Sequence, residues 1–287
     1  MTTIGFIGLG NMGAAMVARL LEEGVDVGVW NRTASVADPL VEAGAARLDS
    51  PADAFSRDIT LSMLSNDRAV NAVFSEELLA SVSGSLHVNM ASISTELARE
   101  LEARHQAAGV RYVSAPVLGR PPVARAGQLN IVAGGKASDV EAAAPALDVL
   151  GKKTWHVGEN AAAAALVKIG VNYNLIHALL ALGESVNMVE RGGIDGQLFV
   201  DILTDAAFTG SAYMGYGKII AGREYFPAMF DTTLGLKDLT LTEDAAAELG
   251  AALPAAPALR ELFEAAVADE KLKDGDWSII AEVIRNR

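Results

Sequence analysis

The 287-residue chain contains no cysteine, which excludes disulfides, thiolate metal ligands and cysteine nucleophiles and suits a reducing compartment. Any redox chemistry it performs must come from a bound cofactor. Aromatic residues make up only 6% of a chain whose apolar fraction is 51%. Its core must therefore be built from Ala, Val, Leu and Ile, a mixture that suits a parallel sheet flanked by helices. An excess of positive charge is also missing, since 36 acidic and 23 basic side chains give a formal net charge of −13. Nucleic acid and anionic membrane both call for a basic footprint, so neither is an expected partner. No apolar run approaches the roughly 18 residues expected of a membrane span. The opening MTTIGFIGLG carries no basic segment and enters a glycine turn at once, which reads as a first strand and not as a secretory leader. A cytoplasmic location is expected.

What is present is an alternation. Short β-rich runs at 3–8, 25–31, 59–64, 86–90, 110–114, 130–133 and 154–157 are separated by helical patterns such as 12–23, 95–108 and 139–150, the pattern of βα units in a parallel sheet. From 160 to 191 a helical period continues without proline or strand signal, and Gly192-Gly193 closes it as a C-cap. Further helices are expected at 197–203, 210–221, 233–249, 257–269 and 277–285. The expected fold is an α/β N-terminal Rossmann domain (1–159) with a doubly wound, mainly parallel sheet. A long interdomain helix (160–191) joins it to an all-α C-terminal domain (192–287). A helix of that length and apolar content exceeds what a small domain can cover, so a homodimer or a dimer of dimers is expected.

Gly8, Gly10 and Gly13 form GxGxxG directly after the first strand and at the mouth of the first helix. The first glycine allows the tight turn, the second lets a pyrophosphate approach the backbone, and the third lets helix and strand pack closely. The helix N-terminus offers its free amides to the phosphates, so the turn from Gly8 through Leu9, Gly10, Asn11 and Met12 to Gly13 is the expected dinucleotide cradle. The end of the second strand selects between cofactors. A carboxylate there holds the ribose hydroxyls of NAD, whereas this chain has Asn31, Arg32 and Thr33. With no acid to repel a 2′-phosphate and a guanidinium fork to bind one, NADP is expected.

Lys168 lies in AAAAALVKIGVNYN, an almost wholly apolar helical run, and Asn172 follows at i+4 on the same face. A lysine there snorkels, finds a partner or serves chemistry. His87, His156 and His177 sit in apolar segments with no zinc-like spacing, so packed neutral side chains and no metal site are expected. Tyr213, Met214 and Tyr216 are expected in core or dimer contacts, the alternative being a reach into the substrate cleft from the helical domain.

Taken together, IGFIGLGNMG (4–13), VWNRT (29–33), ML (63–64), VNMASIS (88–94), APVLGRPPVARAGQLNIVAGG (115–135), KIGVN (168–172) and GLKDLTLTEDA (235–245) resemble the 3-hydroxyacid (β-hydroxyacid) dehydrogenase family. They do so in the family's order and over nearly the whole chain. That family includes 3-hydroxyisobutyrate dehydrogenases and glyoxylate/succinic semialdehyde reductases. The resemblance implies an NADP(H)-dependent oxidoreductase interconverting a small aldehyde or keto acid and its alcohol. It implies that Lys168 is the general acid and base and that Asn172 helps hold the substrate. It further implies that Ser92 and Lys237 approach the nicotinamide half of the cofactor and that Met63, Leu64 and Ser65 line its ribose. Lys237 and Asp238 otherwise read as solvated charges.

The chain departs from the family at the substrate loop, commonly APVSGG, where it carries Val117, Leu118, Gly119 and Arg120. Two readings stay open there: Arg120 binds a substrate carboxylate, or Leu118 and Pro121-Pro122 line an apolar pocket. Related imine reductases typically carry Asp or Tyr where this chain has Lys168. A non-catalytic NADP-binding sensor would be expected to lose both Lys168 and Asn172.

Overall fold

A computed structural model describes residues 2–287, and the chain divides into two compact units, the first ending at Lys168 and the second comprising Ile169–Arg287. In chain order the first unit holds β1 (Thr3–Ile7), α1 (Asn11–Glu22), β2 (Asp26–Trp30), α2 (Asp38–Glu42), β3 (Ala46–Arg47), α3 (Pro51–Ala54) and β4 (Ile59–Ser62). There follow α4 (Asp67–Val73), α5 (Glu76–Ala80), β5 (Leu86–Asn89), α6 (Thr95–Ala107), β6 (Arg111–Ser114), β7 (Val117–Leu118), α7 (Pro121–Arg125), β8 (Leu129–Gly134), α8 (Ala137–Leu150) and β9 (Gly151–Gly158). Side-chain caps start several of the helices: Asn66 caps α4, Ser75 caps α5 and Ser94 caps α6, each satisfying an amide that the helix cannot pair itself.

The strands form one sheet in the order β3-β2-β1-β4-β5-β6-β8-β7, with β9 added on β8. The run from β3 to β6 is parallel, whereas β8 is antiparallel to β6 and β7, so the sheet is mainly parallel, as the alternation implies. Chain order reverses between β1 and β4, which is where open α/β sheets place their ligand crevice, outside the carboxyl ends of the strands. One face packs Leu61, Val88 and Val113 against Met16, Val17 and Leu20 of α1 and Ala143, Ala146 and Leu147 of α8. The other packs Ile7 and Tyr112 with Leu97 and Leu101 of α6.

The structure corrects the sequence reading at the far edge of the sheet. β9 is longer than expected and mostly exposed, because it pairs with β8 alone. His156, expected to be packed, is exposed, with Nε2 2.8 Å from the carbonyl oxygen of Gly135. Lys152 and Lys153 on the same strand put charge on the open edge, a common guard against edge pairing. β3 and β7, with two residues each, are too short to show any alternation.

The unit boundary falls inside α9 (Ala161–Arg191), whose 31 residues run without interruption. The second unit continues with α10 (Gly196–Ala206), α11 (Ser211–Gly222), α12 (Thr232–Leu249), α13 (Ala256–Ala268) and α14 (Ile280–Arg285). A 3₁₀ turn at Trp277–Ile279 precedes α14, where one continuous helix was expected. Gly193 ends α9 with φ 78°, the left-handed conformation that favours glycine. The core of this unit gathers Ile176, Leu179 and Leu182 of α9 with Leu239, Leu259, Phe263 and Trp277. Tyr216 belongs to it as well, while Met214 is exposed and His177, half-buried, meets Tyr173 edge to face. By length and composition α9 is apolar enough to cross a membrane, so the sequence reading was too strict on that point. Of its most apolar window, 39% is buried inside the fold.

Candidate active site

The turn between β1 and α1 sets the frame of the site. Gly8 has φ 96°, and a Cβ placed on it would stand 2.4 Å from the Met63 carbonyl oxygen. A Cβ on Gly13 would stand 2.0 Å from the Gly8 oxygen, so both positions exclude any larger residue. Gly10 is different: it is exposed and a Cβ there would meet nothing within 4 Å. Space is thus kept open above the middle glycine, while Gly10 as the N-cap of α1 makes no side-chain bond to the helix amides. Free amides at a helix start beside an open glycine suit the phosphates of a dinucleotide.

Asn31 holds this turn in place. Its Oδ1 accepts from the Leu9 amide at 3.0 Å, and its Nδ2 donates to the Thr33 carbonyl at 3.0 Å. It therefore joins the glycine turn to the end of β2, a bracing role the sequence did not reveal. Arg32 and Thr33 are exposed beyond it. The loop they lead into is braced by Arg47, which donates to the Ala34 carbonyl at 2.7 Å and pairs with Asp38 at 2.6 Å. After β4, the Met63 amide donates to the Ile7 carbonyl at 2.9 Å. Met63 and Leu64 are half-buried against Gly8, and Ser65 is exposed. Ser92 is half-buried on the segment after β5.

The stretch expected to be a substrate loop begins as a strand. Val117 pairs with Ile131 and Leu118 with Asn130 in antiparallel register, Val117 being buried and Leu118 half-buried. Gly119 follows with φ 150°, and a Cβ on it would press on Leu129 Cδ2 at 2.7 Å. The half-buried Arg120 then opens α7. Thus Gly8–Gly13, Asn31 and Met63–Leu64 are brought together, and Ser92 and Val117–Arg120 follow the carboxyl ends of β5 and β6 in the same unit. A cavity of about 550 Å³ lies at the other end of the strands, lined by Arg57, Asp58 and Arg111 among others. It has no part in this site.

In the second unit Asn172 of α9 is buried, and its Nδ2 donates to Asp238 Oδ2 at 2.5 Å. Lys237 Nζ lies 3.0 Å from Asp238 Oδ1, an ion pair outside hydrogen-bond geometry. Asp238, read from sequence as a solvated charge, is only 3% exposed. The reason is tertiary: α12 turns it inward, where the Asn172 amide and the Lys237 ammonium compensate its charge. Lys168 is half-buried on α9, one helical turn before Asn172.

Residues 3–158 match the family described as the NAD binding domain of 6-phosphogluconate dehydrogenase, and residues 162–284 match that described as NAD-binding of NADP-dependent 3-hydroxyisobutyrate dehydrogenase. Glyoxylate/succinic semialdehyde reductase 1 of Arabidopsis thaliana is 33% identical, over 98% of this chain and 98% of that one. The solved structure of a Mycobacterium tuberculosis 3-hydroxyisobutyrate dehydrogenase with L-serine is 30% identical, covers 99% of each chain and superposes with a TM-score of 0.88. A reductive aminase from Aspergillus terreus, solved with NADPH, cyclohexanone and allyl amine, is 26% identical with a TM-score of 0.63, covering 99% of this chain and 100% of that one.

Proposed function

The chain belongs to the 3-hydroxyacid dehydrogenase family of NAD(P)-dependent oxidoreductases, and from that premise we propose that it reduces a small carboxylate-bearing aldehyde or keto acid with NADPH, Lys168 giving the proton. The observation that carries this reading is the fixed amide of Asn172. With Nδ2 committed to Asp238, its Oδ1 is left as an acceptor for a hydroxyl group, one helical turn from an ammonium that can donate. When bound, the nicotinamide supplies hydride to the carbonyl carbon. As negative charge grows on the carbonyl oxygen, the Lys168 ammonium stabilises it and delivers its proton; in the reverse direction the neutral amine takes the proton back.

Arg32 is the proposed partner of the 2′-phosphate and Arg120 that of the substrate carboxylate. Lys237 and Ser92 are proposed to contact the nicotinamide half, and a homodimer or dimer of dimers is the proposed assembly. A second reading, reduction of C=N, is favoured by the likeness to the reductive aminase and by the apolar Leu118. The test is oxidation of NADPH and of NADH in the presence of glyoxylate, succinic semialdehyde, methylmalonate semialdehyde, and cyclohexanone with and without an amine. Turnover of the carboxylate-bearing aldehydes with NADPH is expected. Turnover confined to uncharged carbonyls or to imines would replace the first reading with the second.

A further inference from the structure

One face of the sheet carries two rows of polar side chains beneath the carboxyl ends of β4, β5 and β6. Register sets Thr60, His87 and Tyr112 side by side in the first row and Ser62, Asn89 and Ser114 in the second. All six are buried, and on the opposite face of the same strands the residues are Leu61, Val88 and Val113. Polar groups in a core are costly unless bonded, and a fold needing only stability would be served by the apolar pattern of the other face.

Within this block the donors and acceptors around His87 and Asn89 are set by their neighbours, while Thr60 donates to the Ala54 carbonyl and Ser114 Oγ has no hydrogen-bond partner among the described residues. The Leu101 carbonyl oxygen can only accept, so His105 carries its proton on Nδ1, 2.6 Å away. The Nε2 of neutral His105 then accepts from His87 Nδ1 at 2.8 Å, and the Nε2 of neutral His87 accepts the Ser62 hydroxyl at 2.8 Å. Ser62 Oγ also lies 3.3 Å from Asn89 Oδ1. The Asn89 amide is oriented as well: Oδ1 must face the Ala91 amide, a pure donor, at 3.1 Å, while Nδ2 donates to Tyr112 Oη at 3.2 Å. The bond from Ala91 back to the Asn89 side chain is a two-residue Asx turn. It draws the chain out of β5 just before Ser92. On the far side Ser94 is tied to Asp67, its hydroxyl donating at 2.6 Å. Ser92 is thus strung between two side-chain anchors, Asn89 from below and Asp67 from beyond.

We infer that Asn89, oriented by the Ala91 amide at its Oδ1 and by Tyr112 Oη at its Nδ2, is a positioning residue that sets the Ala91–Ser92 turn for the nicotinamide half of the cofactor. This rests on the reading of Ser92 as a cofactor contact. Asn89 touches no cofactor itself; it acts through the Ala91 amide. Removing its acceptor frees the turn while the glycine cradle between β1 and α1 stays intact, so the two halves of the dinucleotide should respond differently.

The test compares dissociation constants of NADPH with adenosine 2′,5′-bisphosphate, and of NADH with ADP, for wild type, Asn89→Leu and Asn89→Asp. Asn89→Leu removes the acceptor at similar volume, and Asn89→Asp keeps an oxygen facing the Ala91 amide. The expected result is a loss of about tenfold for the dinucleotide with Asn89→Leu, little change for the fragment, and recovery of most of the loss with Asn89→Asp. Equal losses for dinucleotide and fragment would reduce Asn89 to a structural residue and overturn the inference, as would no loss for either. If Asn89→Leu does not fold, Tyr112→Phe removes the acceptor of Asn89 Nδ2 and should show the same selective loss, of a smaller size; an unselective effect there overturns the inference too. A wild type that binds the dinucleotide no better than its fragment would remove the Ser92 contact, a failure distinct from that of Asn89.

Discussion

At Arg32 an exposed guanidinium follows β2 where a carboxylate would repel a 2′-phosphate. Arg32→Ala should weaken NADPH by tenfold or more while leaving NADH nearly unchanged, about the effect of losing one charge-assisted contact; titration of both cofactors decides, and equal losses would free Arg32 of that role. Asp238 makes a different prediction. Its carboxylate holds the buried Asn172 amide, so Asp238→Ala leaves that donor unpaired and should lower stability by about 1–3 kcal/mol in urea unfolding. A loss within 0.5 kcal/mol, the usual range of a surface change, would mean that Asn172 finds other partners. The two residues differ in how far sequence reveals them. The three glycines, and the exposed place of Arg32 just after β2, are legible because their demands are local: a turn, a close approach, a strand end. Asp238 is hidden because its burial is decided by Asn172, 66 residues earlier, and by the facing of α12. Asn31 falls between them: its place at the cradle is legible, its bond to the Leu9 amide is not.

Among the elements, β5 and α6 together carry a buried titration. Burial holds His87 well below its ordinary range, and it brings His105 down to about 4 from 6.5. Since the neutral form is the one folded, both groups support stability above pH 6.5. As pH falls below 6.5 the unfolded chain takes up protons that the folded chain refuses, and stability is lost until the folded value near 4 is reached. For His105 that interval is worth about 3 kcal/mol. His105→Gln removes its share, so the stability difference between wild type and variant should shrink toward pH 4, measured by urea unfolding at several pH values. A difference independent of pH would contradict the neutral pairing of the two rings. Elements long enough to show a period, such as α1, α6 and α9, are legible in the sequence to within a residue or two. β7 is not, because two residues show no alternation, and its pairing with β8 depends on the chain returning through α7. The exposure of β9 is hidden for a related reason: an edge strand and a central one can share the same composition, and only the sheet order separates them.

For the whole molecule, composition settles the class but not the assembly. Leu198 and Ile202 stand four residues apart on α10, and they and Met188 on α9 are each more than half exposed. Apolar side chains in such numbers on one unit are the kind of surface that oligomers cover, which supports the proposed homodimer or dimer of dimers. Light scattering at micromolar concentration should give a mass of at least twice 29.9 kDa, and Leu198→Asp with Ile202→Asp should lower it. A monomer across that range would remove the proposal. Which carbonyl substrate is turned over is less legible than the family. The stretch proposed to recognise the substrate, Val117–Arg120, is where this chain leaves the family's usual APVSGG form and where backbone pairing with β8 is invisible in the residues alone.

The proton assigned to Lys168 is tested most directly by measuring kcat with the best substrate, together with the NADPH dissociation constant, in wild type and Lys168→Ala. The glycine cradle at Gly8–Gly13 is independent of that side chain, so NADPH should bind the variant with nearly wild-type affinity. Turnover should fall by about 10²–10⁴, the usual worth of a general acid. A variant that binds NADPH and keeps more than about a tenth of wild-type kcat, a smaller loss than a general acid leaves behind, would contradict the assignment and put the proton on another residue.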